Sequence, residues 1–399
     1  MLRIFPNANF DYLGKKNIFI AISVVLAILS AGSLLVKGLN LGVDFKGGTT
    51  IVYGFKESPD ADRIRGIAKE ARLDIDAIQR FDKAEKNQIL LRVPMQKEEG
   101  RDVSKEITKA LGGAFGAVKE DEFDLNLKGA DLLAAHLLAG DPEKFAEKPG
   151  ADGKIEYTRI AQAVIAVRAQ KGLFRSVDEA ATAPGVPPAT AAYIKSNTLA
   201  GPFTLVSSES VGPQVGRDLR VKGTWAILLS WAAMLLYIGL RFRKWSFGVA
   251  AVVALIHDSW IALGLCSMFG IEISLTVVAS FLTLIGYSVN DTVVIFDRVR
   301  ENLAKKTKEP LAKIMNDSVN QTLSRTILTS ALTFLTVVSL FLFGGEVLHG
   351  FSFVMLVGII IGSYSTIFIA SPVVLAWEAW NAKRAGASPA PAATPAKAR

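Results

Sequence analysis

Two kinds of hydrophobic pattern divide the chain. Residues 17–36, 223–240, 247–269, 273–296, 326–343 and 351–376 are unbroken apolar runs, each near the ~20 residues that a helix needs to cross a bilayer. Residues 37–222, between the first two runs, carry short alternations instead. There 43–56 (VDFKGGTTIVYGFK) reads as a strand entered by a glycine turn and 60–72 as a helix. The segments 77–82 and 87–93 read as a strand pair around Glu85-Lys86-Asn87, 99–111 as a second helix and 203–209 (FTLVSSE) as a closing strand. The order β-α-β-β-α-β is that of a ferredoxin-like α+β unit. The pattern therefore predicts a multi-pass α-helical membrane protein with six transmembrane helices and one external ferredoxin-like domain.

That domain is interrupted at 124–201. The stretch YTRIAQAVIAVRAQKG sets Ile160, Val164 and Val167 at helical spacing. After it, FRSVDEAATAPGVPPATAAYIKS reads as two short helices joined through Pro184-Gly185-Val186-Pro187. This resembles a helix-hairpin-helix, a module often used on DNA backbones. The hairpin lacks a Lys/Arg cluster, so a structural or protein-contact insertion is the favoured reading and no nucleic acid is expected.

The first apolar run follows Lys15 and Lys16, as a signal peptide would. It is longer than the roughly 7–15 residues of a signal-peptide core, which favours an uncleaved anchor. Lysine and arginine in the short connections then set the orientation. Arg241, Arg243 and Lys244 separate the second and third runs; Arg298, Arg300, Lys305, Lys306, Lys308, Lys313 and Arg325 fall in 297–325. The opposite connections, 270–272 and 344–350, hold neither residue type. Both ends, 1–16 and 377–399, are thus expected in the cytoplasm, with 37–222 as one outer, periplasmic domain. From Ala385 the tail (AGASPAPAATPAKAR) is too rich in Ala and Pro to bury a core.

Composition adds exclusions. Of 399 residues, 50% are hydrophobic and 21% charged, with a mean hydropathy of +0.33; a membrane region joined to a water-soluble domain explains both figures. The net charge of +8 follows largely from the topology. One cysteine, Cys266, allows no intrachain disulfide. Histidines scattered at 136, 257 and 349 and the lack of Walker A or dinucleotide fingerprints point to no metal, no cofactor and no ATP hydrolysis on this chain.

One position resists the bland reading. Asn290 and Asp291 sit within the fourth run, where a carboxylate costs about 2.5–3.5 kcal/mol even on the insertion scale. At helical spacing Asp291 shares a face with Tyr287, Leu284 and Ser280, and Asn290 and Gly286 lie alongside. That face should point into the bundle or a water wire and not at lipid; the alternative is a carboxylate snorkelling to the inner edge near Arg298. Arg325 opens the fifth run, either as Asp291's partner or as a positive-inside anchor. His257 and Asp258 lie mid-way along the third run, either on the same path or as a satisfied polar pair. Asp297 and Arg298 suit solvated pairs at the membrane edge. Gly358 and Gly362 suit close helix packing, and Gly47, Gly48, Gly212 and Gly216 suit backbone geometry.

Several motifs then fall together: GLNLGVDFKGGT (38–49), VGPQVGRDL (211–219), His257-Asp258, GYSVNDTVVIFDRVREN (286–302) and SVNQTLSRTILTS (318–330). They resemble the SecF family, subunits of the bacterial SecD–SecF protein-export complex, over nearly the whole chain apart from 124–201 and the tail. The resemblance implies an RND-type half-transporter of six helices in the inner membrane, completed by a SecD subunit. It implies use of the proton gradient to draw translocating, unfolded polypeptide outward from the Sec translocon channel, beside other Sec accessory subunits. It assigns proton transport to Asp291 and Arg325, with Asn290, His257 and Asp258 as further candidates. Hydrocarbon favours the neutral acid and a nearby guanidinium the ionised one, so a small movement between these settings takes up or releases a proton. Two rivals are an RND-type exporter of small molecules or lipids, and a non-catalytic translocon scaffold.

Overall fold

The computed structural model describes residues 8–81, 87–95, 102–116, 122–148, 150, 152–305 and 309–384. Glu85 and Lys86 of the expected turn, residues 99–101 of the expected second helix, Lys306, Lys308 and the tail from Ala385 lie outside them. The chain forms two compact units, Val43–Arg217 and Met1–Gly42 with Asp218–Arg399.

After a long apolar helix, α1 (Lys16–Val36), the first of these units follows in the order β1 (Gly48–Phe55), α2 (Ala61–Glu70), β2 (Ala77–Phe81), β3 (Gln88–Pro94) and α3 (Val103–Ala114). Four helices come next: α4 (Ala130–Gly140), α5 (Gly153–Lys171), α6 (Val177–Ala181) and α7 (Pro188–Asn197). β4 (Phe203–Val211) closes the unit. The sheet is antiparallel throughout, ordered β2-β3-β1-β4. Its two-residue period puts Ile51, Tyr53, Phe55, Ile89, Leu91, Val93 and Phe203 on one buried face, where they pack with Ile64 and Ala68 of α2 and Ile107 and Leu111 of α3. The first strand starts later than its pattern suggests, and Val43–Lys46 is a helical turn instead. Gly47 and Gly48 cause this, with φ of +79° and +146°, a backbone path that a side chain resists. A Cβ on Gly48 would also stand 2.6 Å from the Val93 carbonyl oxygen.

The insertion has a core of its own, built from Leu133, Leu137, Tyr157, Ile160, Val164, Phe174 and Ile194. α5 starts four residues before the periodic stretch because Asp152 accepts hydrogen bonds from the N–H groups of Lys154 and Ile155. The neck is a two-residue parallel pair, Phe123–Asp124 with Thr198–Leu199. Beside it, the buried Asn126 amide donates to the carbonyls of Phe174 and Gly201 (2.9 and 2.8 Å) and accepts from the Phe174 N–H (2.8 Å). Asp124, 1% exposed, accepts the N–H groups of Asn126 and Gly201 on Oδ1, while its Oδ2 has no partner among the described residues.

The other unit joins α1 to α8 (Pro213–Phe242), α9 (Trp245–Phe269), α10 (Leu275–Lys305), α11 (Leu311–Phe343), α12 (Gly345–Ser365), a π-helical turn (Thr366–Ala370) and α13 (Ser371–Arg384). Among the described residues six helical stretches are long and apolar enough to cross a membrane, the last running Val347–Arg384 through the π turn. α10 and α11 outrun their apolar stretches, so Arg298, Arg300, Lys313 and Arg325 are helical rather than in a loop. Inside the bundle Phe247, Ala250, Ala254, Phe296 and Met315 form the core. Ile18, Ile22, Val25 and Leu29 of α1 stay exposed, as a hydrocarbon-facing surface requires. The segment before α1 is tied down by two asparagines of the SVNQ region. Asn316 Oδ1 accepts the Tyr12 N–H and Asn320 Oδ1 the Phe10 N–H, and both amides donate to the Phe10 carbonyl, each at 2.9 Å.

The neck acid gives a pH dependence with a definite sign. Burial pushes the Asp124 carboxyl above the usual carboxylate range, outweighing its two N–H donors and the nearby Lys56 and Arg168. A raised folded value favours the neutral acid in the native state, so its contribution is fully present below the ordinary carboxylate value and is lost as pH rises through the folded one. Thermal unfolding of this unit, followed in the full chain by proteolysis of 124–201, should occur at higher temperature at pH 4 than at pH 8. Asp124→Asn should shrink that difference, and an unchanged difference would show that another group sets it.

Candidate functional site

The site is built where α9, α10, α11 and α12 bring polar side chains into an apolar interior. Asp291, on the inward face of α10, is 4% exposed. Ser280, Leu284 and Ser288 on the same face are buried with it, and Tyr287 is half-buried with a hydroxyl that finds no partner among the described residues. This is the face that the sequence spacing marks, and it excludes a carboxylate snorkelling to the helix end. Ser330 of α11 donates to Asp291 Oδ2 at 3.3 Å, and Ser363 of α12 donates to Ser330 Oγ at 3.2 Å.

Asp258 is the more enclosed acid, 1% exposed on α9. Ser288 of α10 and Ser365 of α12 donate to its Oδ2 at 2.7 and 2.9 Å. Its Oδ1 lies 3.0 Å from His257 Nδ1, and the His257 ring stands edge-on to Tyr364, with centroids 5.9 Å apart. Ser288 and Asp291 are less than one turn apart on α10, so the two acids share a helix through this contact. One residue past each site Thr292 and Thr366 meet, their hydroxyl oxygens 3.0 Å apart.

Two of the expected residues stand off. Asn290 is exposed and turned away from the acids, together with Gly286, Thr283 and Ala279, because a step of one residue from Asp291 turns the side chain by about 100°. Of the two settings expected for Asn290 and Gly286, this chain's own bundle is therefore not the one they take. Arg325 is exposed on α11 and forms no ion pair with Asp291 among the described residues. The polar pair anticipated for Asp297 is present at the helix end, with Arg300 at 2.8 Å and Arg241 at 3.7 Å. Arg298 reaches Glu301 at 2.7 Å.

Sequence reading singled out the acids and missed the hydroxyls around them. Ser288, Ser330, Ser363, Ser365, Thr292 and Thr366 each look like ordinary small helix residues. The available signal was their grouping, above all Gly362-Ser363-Tyr364-Ser365-Thr366 in an otherwise apolar run. Close approach makes these contacts reachable. A Cβ on Gly358 would overlap the Leu284 side chain, and one on Gly362 would press on Ser288 Oγ at 3.3 Å and Asp258 Oδ2 at 3.5 Å. Among the described residues no cluster of His, Cys, Asp and Glu is placed to hold a metal ion.

Residues 193–380, which include every residue of this site, match the family described as "Protein export membrane protein SecD/SecF, C-terminal". Residues 32–59 match the SecD/SecF GG motif, with Gly47 and Gly48 at its turn. A protein translocase subunit SecF from Koribacter versatilis is 40% identical over 403 residues, covering 98% of this chain and 97% of the relative. The chain belongs to the SecF family. A second SecF, from Calditerrivibrio nitroreducens, is 34% identical and covers 92% of this chain and 94% of its own length. The crystal structure of SecDF from Thermus thermophilus, described as a translocon-associated membrane protein, superposes with a TM-score of 0.63 at 27% identity. It covers 95% of this chain, which in turn spans 40% of that SecDF chain. A super-membrane-facing form of SecDF gives a TM-score of 0.55 at the same identity.

Helix contact at Gly358 should therefore be a condition for the site. Gly358→Ala should destabilise the solubilised chain by about 1–3 kcal/mol, the usual cost of overpacking. Combined with Leu284→Ala the loss should be smaller than the sum of the two single losses, read from melting midpoints. Additive losses would show that the two residues do not press on one another.

Proposed function

We propose that this chain is the SecF subunit of a bacterial Sec protein translocase, embedded in the inner membrane, where it uses the proton gradient together with a SecD subunit to promote late export of polypeptides. The observation that carries the reading is Asp291, a carboxyl buried among apolar helices and held by one long hydroxyl contact. An acid so placed is costly as a purely structural element, and it changes charge when a proton arrives. Family membership and the SecDF neighbours support a SecD partner and a translocon setting. They favour this reading over an RND-type exporter of small molecules or lipids.

On this reading Asp291 carries the proton. Asp258 with His257 forms a second polar station, and Arg325 and Asn290 act from the exposed side of the bundle, where the partner half would lie. Both termini face the cytoplasm and residues 37–222 face the periplasm, as the lysine and arginine distribution indicates. Translocating unfolded polypeptide meets that outer domain. β4 ends at Val211 and α8 begins at Pro213, so a shift among the membrane helices has a direct covalent route to the outer sheet. One charge crossing 100 mV releases about 2.3 kcal/mol, and a larger gradient biases a two-state motion many-fold. ATP hydrolysis on this chain has no place in the mechanism.

The test is inner-membrane vesicles holding this chain with its SecD partner. Asp291→Asn should reduce gradient-dependent completion of export to the level seen with the gradient collapsed, and Arg325→Met should abolish proton flux in the reconstituted complex. Export at the original rate in Asp291→Asn would overturn the proton step, and a complex that passes no protons at all would leave a scaffold role instead.

A further inference from the structure

One short stretch, Ser363–Thr366, lies next to the contacts of both acids. Ser363 faces the Asp291 side through Ser330 Oγ (3.2 Å), and Ser365 faces Asp258 Oδ2 (2.9 Å). A hydroxyl has a single proton to donate, yet each of these serines has two acceptors in reach. Ser363 lies 2.7 Å from the Ile359 carbonyl as well as near Ser330, and Ser365 lies 3.3 Å from the Gly362 carbonyl as well as near Asp258. Thr366 also donates to that Gly362 carbonyl, at 3.1 Å, and its oxygen meets Thr292, the neighbour of Asp291. The choice made by one hydroxyl therefore alters what is offered to the next. The helix changes pitch at this point: Thr366–Ala370 is a π turn, and Ser371 Oγ donates to the Thr366 carbonyl at 3.2 Å. Such turns sit frequently at functional places in helices, because they free the backbone from its regular ladder.

We propose that Ser363–Thr366 is a positioning element that couples the two buried acids, so that a change of protonation at Asp258 alters proton uptake at Asp291. An ionised Asp258 holds the Ser365 hydroxyl as a donor. In a neutral Asp258 whose Oδ2 proton is directed at Ser365, that hydroxyl becomes the acceptor and turns its own O–H to its second partner, the Gly362 carbonyl, which Thr366 also uses. The Thr366–Thr292 contact then changes beside Asp291. The titratable and charged groups facing the pair are His257 on α9, Tyr364 on α12, Tyr287 and Asp291 itself on α10, and Arg325 at the exposed side of α11. Among the described residues no Lys or Arg lies within ion-pairing distance of either carboxyl.

This coupling rests on Asp291 being the proton-carrying acid, and the experiment separates the two ideas. The full chain in lipid bilayers is titrated by infrared spectroscopy of its carboxyl bands, assigned with Asp291→Asn and Asp258→Asn. Ser365→Ala, which removes a group that touches Asp258 and not Asp291, should move the Asp291 midpoint by about half a pH unit or more, roughly threefold in proton affinity. Ser365→Thr, which keeps the hydroxyl, should restore it. Asp258→Asn should move it too, and reads the same coupling should Ser365→Ala fail to fold. Ser352→Ala is the control, because Ser352 is buried on the same helix but donates only to Leu348 and His349 of its own turn. An Asp291 midpoint unmoved in both Ser365→Ala and Asp258→Asn, or moved equally by Ser352→Ala, overturns the proposal. Proton flux, measured in parallel on the complex with SecD, tells the failures apart. An unmoved midpoint with flux lost in Asp291→Asn overturns the coupling alone. A moved midpoint with flux intact in Asp291→Asn supports the coupling and overturns the proton-carrying role.

Discussion

A carboxyl placed in hydrocarbon has no water to turn to, so neighbouring helices must supply its hydrogen bonds. Much of the membrane unit is arranged around that requirement. Serine and threonine within helices usually satisfy themselves on the carbonyl one turn back, as Thr283, Thr333 and Ser352 do here. Ser288 and Ser330 instead donate to Asp258 and Asp291. Reaching the acids in this way requires short distances between helices, which explains why Gly358 and Gly362 stand where α12 crosses α10. Small residues and acids are thus two halves of one device: the first allow the approach and the second require it.

The Val43–Arg217 unit, which holds no complete apolar spanning helix among its described residues, is built differently. Its stability comes from two separate apolar cores, one under the sheet and one within the insertion. They meet at a neck where Asn126 bonds three backbone groups across the junction. A buried amide with its partners satisfied fixes the angle between two bodies more sharply than apolar contact does. The insertion is therefore a built element of the domain, not a loosely tethered loop.

Long features with a regular period were legible in the sequence, and features that depend on two helices meeting were not. Six apolar runs and the alternation of Ile51, Tyr53 and Phe55 identify spans and strands, because burial is decided along one element at a time. Asp291 and Asp258 were legible because a charge in hydrocarbon is expensive wherever it faces. The hydroxyl partners were hidden, since nothing local separates Ser365, bonded to an acid, from Ser352, bonded to its own backbone. The side on which Asn290 falls was also lost. A spacing argument allows a one-residue neighbour to lie alongside, and only packing fixes which side of the boundary it takes. The helical turn at Val43–Lys46 escaped because two glycines with positive φ reset the chain direction within a stretch that otherwise reads as strand.

The two acids are held differently, and this difference assigns their roles on the proposed reading. Asp258 has three polar neighbours between 2.7 and 3.0 Å, so moving it or recharging it disturbs three helices together. Asp291 has one hydroxyl contact at 3.3 Å and no ion pair among the described residues, with Arg325 exposed on α11. A carboxylate locked to a guanidinium would stay ionised through a cycle, and one caged like Asp258 would resist displacement. A carrier needs neither. It needs a site loosely held in each state, close enough to a rigid reference for its change of charge to be felt. Asp291 meets the first condition, and Asp258, reached through Ser288 on the same helix and through Ser365 on the next, supplies the second.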